Sequence, residues 1–315
     1  MLLNVRKLAN IYAMKRTSIF LNKKLKFELL LILFLIQNVN VYANPKIDPN
    51  WTIEKQRNLV NAVSQNKEAK IIYGSVIKRL KYNGLPYVYV QNIFQDSRLT
   101  IKMVVADKWN KPAEKTLNYE EYRKIFVNEK RINAGKEFYE EHKELLDTVS
   151  KEYQVDPFLI LSLIGVETFY GKYSHSIEVL NALHTTIHLV PKKSKWVEDE
   201  MVAWIMFCHA ETLDPYNIKG SYAGAFGFGQ FIPTSYRRYA QDVNGDGIKD
   251  PFEWADTFGS ISNYLLKRGK YVKTSDDFSF KSANWNAIYK YNPSNHYVKA
   301  VLELRTELMK EISNT

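Results

Sequence analysis

Glu167 lies near the end of the apolar run PFLILSLIGVETFYG, residues 157–171. Phe158, Leu159, Ile160, Leu161, Leu163, Ile164 and Val166 leave that run almost no polar face, which marks a buried helix. An unpaired carboxylate carried inward by such a helix either finds a partner or has its pKa raised. A raised carboxyl is a general acid, able to hand its proton to a leaving oxygen at neutral pH. The alternative is a solvent-facing Glu167 paired with the nearby Lys172.

Two further stretches carry polar chemistry. In KGSYAGAFGFGQFIPTSY (219–236), Gly220, Gly224, Gly227 and Gly229 are four of the thirteen glycines of the chain. They let the backbone turn sharply or approach a ligand closely, with Ser221 and Gln230 as polar groups beside them. Neither GxxxxGK[ST] nor GxGxxG occurs, so a phosphate cradle is disfavoured. Next comes DVNGDGIKDPFE (242–253), which satisfies D-x-[DN]-x-[DN]-G-x5-E at each constrained position. Asp242, Asn244 and Asp246 would give side-chain oxygens, Ile248 a carbonyl and Glu253 a closing carboxylate, a set suited to a structural Ca2+. A surface turn without metal is the other reading. Near the C-terminus, IYKYNPSNHYV (288–298) gathers Tyr291, Asn292 and Tyr297.

The elements that must position these residues are mostly helical. Asp156 and Pro157 provide an N-cap and a first helical residue for the Glu167 helix, and Gly171 a stop. LNYEEYRKIF through HKELLDTVSKEY (117–153) reads as helices with opposite charges at i, i+4 spacing. Helical segments broken by Gly, Pro, Asn and Asp dominate 156–312. Between 51 and about 116 the pattern is mixed: a helix near 53–66, and strand-like alternation in PYVYV and RLTIKMVV.

The formal charge of +10 is concentrated at the N-terminus. Residues 1–43 hold seven Lys/Arg and one acid, leaving 37 basic against 33 acidic residues in the remainder. That balance, with no regular basic stripe, excludes a nucleic-acid footprint. The basic start, the apolar FELLLILFLI (27–36) and a small-residue site at Ala43 describe a cleaved secretory signal peptide, an uncleaved anchor being the alternative. No Cys follows the apolar core, so a lipoprotein is not expected. The single cysteine, Cys208, rules out an intramolecular disulfide and a cysteine-ligated zinc site. His184 and His188 in HTTIH lack the glutamate of HExxH.

Together, GVETFYG, KGSYAGAFGFGQFIPTSY, the Asp/Asn loop and YNPSNHY resemble the lytic murein transglycosylase B family, in order and in spacing. The likeness covers roughly 118–303, with EYRKIF and INAGKEFYEEH included. It implies a mainly α, lysozyme-like catalytic domain at 118–315 with an inserted EF-hand-like loop. Before it come a signal peptide at 1–43 and a small mixed α/β region at 44–117. It further implies that Glu167 is the sole catalytic acid/base and that Ser221 and Gln230 line the scissile subsites. Tyr122, Tyr264, Tyr291, Asn292 and Tyr297 would surround the cleft. On the resemblance the last calcium ligand falls on Asp256, whereas the generic loop pattern gives Glu253. The family's paired arginines after a proline are here Lys192 and Lys193, which keep the charge but lose bidentate geometry toward peptide-stem carboxylates.

The implied reaction is non-hydrolytic cleavage of the MurNAc-β-1,4-GlcNAc bond of peptidoglycan, leaving 1,6-anhydro-MurNAc ends. A two-carboxylate glycosidase would need a second acid about 5–9 Å from the first, and none recommends itself beside the Glu167 or Gly-rich motifs. A lysozyme-type hydrolase and a non-catalytic murein-binding module are the rival readings. A periplasmic monomer is expected, with glycan strands as partner and cell-wall synthesis or division proteins as further candidates.

Overall fold

The computed structural model describes residues 67–110 and 117–313. The signal-peptide reading and the helix near 53–66 lie outside the described residues. Among these, α-helix dominates: α1 (Lys67–Tyr82), α2 (Tyr87–Gln95), α3 (Met103–Asn110), α4 (Tyr119–Phe126), α5 (Glu129–Tyr153) and α6 (Pro157–Thr168) come first. After a two-residue strand β1 (Ile177–Glu178) follow α7 (Val179–Leu189) and α8 (Ser194–Ala210). Strand β2 (Lys219–Gly220) then leads to α9 (Pro233–Tyr239), α10 (Trp254–Tyr264), α11 (Ala283–Tyr291) and α12 (Asn295–Ser313).

Local sequence explains the central helix. Asp156 accepts a hydrogen bond from Phe158 N at 2.9 Å, Pro157 takes the first position, and the body of α6 from Leu159 to Val166 is buried. It packs against α5 and α12, where Leu304 and Leu308 are fully buried. Arg305 of α12 also pairs with Asp156, fastening the start of the helix. The helix ends at Thr168, three residues before the expected stop at Gly171: Phe169 (φ 52°), Tyr170 (φ 57°) and Gly171 (φ 75°) are all left-handed. Phe169 N bonds back to Gly165 O and Tyr170 N to Ile164 O, so the last carbonyls of the helix are satisfied within the reversal. Gly135 and Gly165 make room for the ring of Tyr170, since an added Cβ at either would lie 2.3 or 2.7 Å from its hydroxyl oxygen.

The sole sheet among the described residues is the antiparallel pair β1–β2, with Ile177 opposite Gly220 and Glu178 opposite Lys219. Bridges from Gly220 to Phe226 and from Phe226 to Phe231 fold the Gly-rich loop back on itself.

The strand-like stretches before residue 117 differ from expectation. PYVYV enters helix α2, where Val90 and Ile93 are buried three positions apart, a helical spacing. RLTIKMVV splits into an irregular segment and the start of α3. Thr100 N and Lys102 N do point the same way, as alternation predicts. They bond to Asn181 Oδ1 (3.0 Å) and Thr185 Oγ1 (2.9 Å) on α7, so side chains of a helix replace a partner strand. Tyr73, Val76 and Leu80 of α1 join the same apolar core as α6.

Candidate active site

The reversal after Thr168 leaves Glu167 on the last turn of α6, partly exposed. The Tyr297 hydroxyl donates to Glu167 Oε1 at 2.6 Å from the first turns of α12. Burial raises the Tyr297 hydroxyl well above its ordinary pKa, and the charge of Glu167 raises it further. The phenol therefore stays protonated and remains a donor to the carboxylate. Tyr291 is raised well above its ordinary value for the same reasons, burial first and Glu167 second. Among the described residues, Glu167 is the sole carboxylate whose charge acts on both phenols. Lys172 Nζ lies 3.5 Å from Glu137 Oε2.

The Gly-rich loop is tied to this turn. Thr168 Oγ1 donates to Phe228 O at 3.1 Å and accepts from Gly171 N at 3.2 Å. The Tyr291 hydroxyl donates to Gly229 O. Within the loop, Ser221 Oγ accepts from Ala223 N and Ala225 N, and Gln230 Nε2 donates to Gly227 O at 2.8 Å. Gln230 itself is left-handed (φ 49°), a conformation uncommon for a residue other than glycine. Gly220 is obligatory here, for a Cβ would sit 2.2 Å from Ala225 O.

Other expected residues fall around this centre at different depths. Tyr264 is buried, donates to Lys290 O at 2.6 Å, and meets the Tyr291 ring edge-on at 5.1 Å. Tyr122 is buried against Phe126 and His296, close enough to Tyr297 to bear on its hydroxyl. Tyr122 and Tyr297 thus back Glu167 from inside the fold. Asn292 caps the end of α11, partly exposed. Lys192 and Lys193 are exposed on a short 3-10 turn, and Lys193 Nζ stands 5.0 Å from the Trp109 ring centre and 5.7 Å from that of Trp196.

Three residues were not foreseen. Thr168 carries no signal of its own in the sequence, since its two partners lie in different segments. His175, whose imidazole is reached by Gln230, has its pKa lowered chiefly by burial, with Lys108 adding to the effect. Trp109 bonds Thr186 Oγ1 through its indole N–H and faces Tyr222. An abundance of aromatic residues is visible in the composition, but not which of them meet.

The Asp/Asn loop follows directly. Asp242 accepts from Gly245 N (2.8 Å) and Gly247 N (2.9 Å), Asn244 from Asp246 N, and Asp246 from Ile248 N. Gly247 at the sixth position has φ +87°, the turn that an oxygen cage requires. Glu253 caps α10 by accepting from Asp256 N at 2.9 Å. Asp256 is 1% exposed and accepts from Val243 N (2.7 Å) and Asp250 N (2.8 Å), joining the two arms of the loop. Among the described residues no group of three or more His, Cys, Asp or Glu converges as a metal site. The donors of this loop are oxygens only, and its backbone bends fit a hard cation when Asn244 and the Ile248 carbonyl are counted with the carboxylates.

A mainly helical fold with Glu167 held by Tyr297 at the turn tied to the Gly-rich loop places the chain in the lysozyme-like class. The pattern of the transglycosylase SLT domain (SLT_2) matches residues 71–276, and the chain belongs to that family. The match begins upstream of residue 118, within α1. The chain is 35% identical over 148 residues to membrane-bound lytic murein transglycosylase B of Escherichia coli K12, covering 47% of this chain. It spans 41% of the length of that curated relative. In structure it is similar to the soluble lytic transglycosylase SltB1 of Pseudomonas aeruginosa, with a TM-score of 0.69 and 27% identity over 77% of this chain and 99% of the other. The E. coli lytic transglycosylase Slt35, solved in complex with calcium, shares the fold at a TM-score of 0.68 and 24% identity, over 77% of this chain and 93% of the other.

Proposed function

We propose that the chain is a peptidoglycan lytic transglycosylase in which Glu167 performs both proton transfers. The observation that carries this reading is the Tyr297–Glu167 hydrogen bond at the tied Gly-rich loop, in a chain of the SLT family. Protonated Glu167 gives its proton to the glycosidic oxygen between MurNAc and GlcNAc, and the bond to the anomeric carbon breaks. The neighbouring N-acetyl group of the sugar stabilises the cation. Glu167, now ionised and held by Tyr297, removes the proton of the sugar's 6-hydroxyl. That oxygen closes on the anomeric carbon, forming the 1,6-anhydro ring, and no water is consumed.

Ser221, Gln230, Tyr291 and Asn292 are the groups offered to the strand, with Lys192 and Lys193 near the peptide stems. Tyr122, Tyr264 and Tyr297 hold the wall behind. Asp242, Asn244, Asp246 and the Ile248 carbonyl would hold Ca2+, with Glu253 or Asp256 as the closing carboxylate: Glu253 caps α10 through one oxygen, and Asp256 accepts backbone N–H groups on both. The ion would brace the loop and take no part in the proton transfers. An exported, periplasmic enzyme fits this substrate, and among the described residues no helix is long and apolar enough to cross a membrane.

Mass spectrometry of sacculi digested by the purified protein, with Glu167→Gln as control, tests the reading. Products about 18 Da lighter than hydrolytic ones, absent with the variant, are expected from a single acid/base. Products retaining that water would make the protein a lysozyme-like hydrolase. Binding to sacculi with no soluble product would leave a murein-binding module.

A further inference from the structure

The cleft beside Gln230 continues past the groups assigned to the sugar strand. It encloses about 950 Å³, bordered by Gln230, Tyr264 and Tyr291 and also by Arg237, Arg238 and Arg268. Arg237 and Arg238 are exposed on the last turn of α9, and Arg268 lies in the π-turn that extends α10. The acids of the same cleft are already engaged. Asp199 pairs with Arg79 at 2.7 Å, and Glu200 is 2% exposed and accepts from both Thr234 N (2.8 Å) and Thr234 Oγ1 (2.7 Å). Among the described residues none of the three arginines forms an ion pair.

Three uncompensated guanidinium groups in one concave surface raise the local potential and draw in anions. Their planar forks match carboxylates in two-point contact, which a lysine ammonium does not. The amino-sugar backbone of peptidoglycan is neutral where its lactyl group is amidated, whereas the peptide stems carry free carboxylates. Glu200 also gives the wall a fixed base, because its two bonds to Thr234 hold the first turn of α9. Arg268 stands close enough to Tyr264 to act on its hydroxyl, so the basic wall is continuous with the strand-binding groups. The bidentate geometry missing from Lys192 and Lys193 is thereby available on α9 and the π-turn.

We infer that Arg237, Arg238 and Arg268 form a subsite for peptide-stem carboxylates, making the protein selective for strands that still bear stems. This rests on the cleft being the glycan-strand site. Turnover of peptide-bearing strands and of strands stripped of stems by an amidase, their freed lactyl carboxylates then capped as primary amides, would be compared for wild type and Arg237→Gln/Arg238→Gln/Arg268→Gln. The half-saturating concentration should rise about tenfold or more for peptide-bearing strands only, as expected for loss of charge-assisted forks. A single Arg→Lys replacement at each site should recover part of the effect. Equal losses on both substrates, or none on either, would overturn the subsite. If wild type cleaves neither substrate, the enzymatic reading falls, and calorimetry with free stem tetrapeptide still decides the subsite. Binding to wild type that is lost in the triple variant supports it, and no binding to wild type ends it.

Discussion

The Tyr297 hydroxyl meets Glu167 Oε1 at 2.6 Å across 130 residues of sequence. The contact joins the end of α6 to the start of α12. A donor fixed on one oxygen sets which lone pairs face the cleft. In the proposed reaction it also stabilises the ionised form that accepts a proton in the second half. Hydrogen bonds to charged groups contribute roughly 1.5–3 kcal/mol, and tenfold in rate corresponds to about 1.4 kcal/mol. Tyr297→Phe should therefore lower kcat about ten- to hundredfold with the fold retained. A kcat within about twofold of wild type in steady-state assays would separate Tyr297 from the chemistry.

Gly220 is the tightest backbone approach in the Gly-rich loop, with a Cβ position 2.2 Å from Ala225 O. The obstructing atom is backbone and cannot rotate away. Gly220→Ala should destabilise the protein by roughly 1–3 kcal/mol, the usual cost of overpacking, and reduce turnover as Ser221 shifts. Gly245→Ala is a useful contrast, since no atom lies within 4 Å of its Cβ and only its φ of +75° opposes the change. Denaturant midpoints of the two variants measure the difference.

Calcium should raise the melting temperature of wild type, and chelation should reverse it. Asp242→Asn should abolish that response. Asp256→Asn should lower stability even in chelator, by roughly 1–3 kcal/mol, because an amide nitrogen cannot accept from a backbone N–H. Both carboxylate oxygens of Asp256 are used that way. A metal-free stability of Asp256→Asn equal to that of wild type would remove Asp256 from the loop's framework.

His184 is lowered to about 4 by burial and by the neighbouring His188, while Tyr73 bonds both rings from α1. Between the ordinary value of 6.5 and about 4 the unfolded chain holds a proton that the folded chain refuses. Stability is thus intact above that window and falls as pH drops through it. Denaturation across this range should show a shallower acid loss for His184→Gln than for wild type. Parallel curves would place the acid sensitivity elsewhere.

The parts legible in the sequence are those whose determinants are local. Asp156, Pro157 and the unbroken apolar run specify α6, and the spacing of Asp242, Asn244, Asp246 and Gly247 specifies the turns of the following loop. PYVYV was misleading because five residues rich in Tyr and Val fit a strand as well as they fit about one and a half turns of helix. Its surroundings decide: Val90 and Ile93 are buried and Tyr216 bonds Ile93 O at 2.5 Å, a contact from more than 100 residues away. Tyr297 was named by resemblance as one of the residues around the cleft, yet its bond to Glu167, and the role of Thr168, exist only in three dimensions.

The three left-handed residues after Thr168 have a consequence for how this protein can change. Two of them, Phe169 and Tyr170, have side chains that disfavour the conformation by about 1–2 kcal/mol each. Arg131 over the Phe169 ring and the seat of Tyr170 beneath Gly135 and Gly165 hold them there. Glu167 thus sits beside a stretch of strained backbone that gains by relaxing. Substitutions that relax it, such as Phe169→Gly, trade placement for ease, and heat tolerance and catalytic rate at this corner are set against each other.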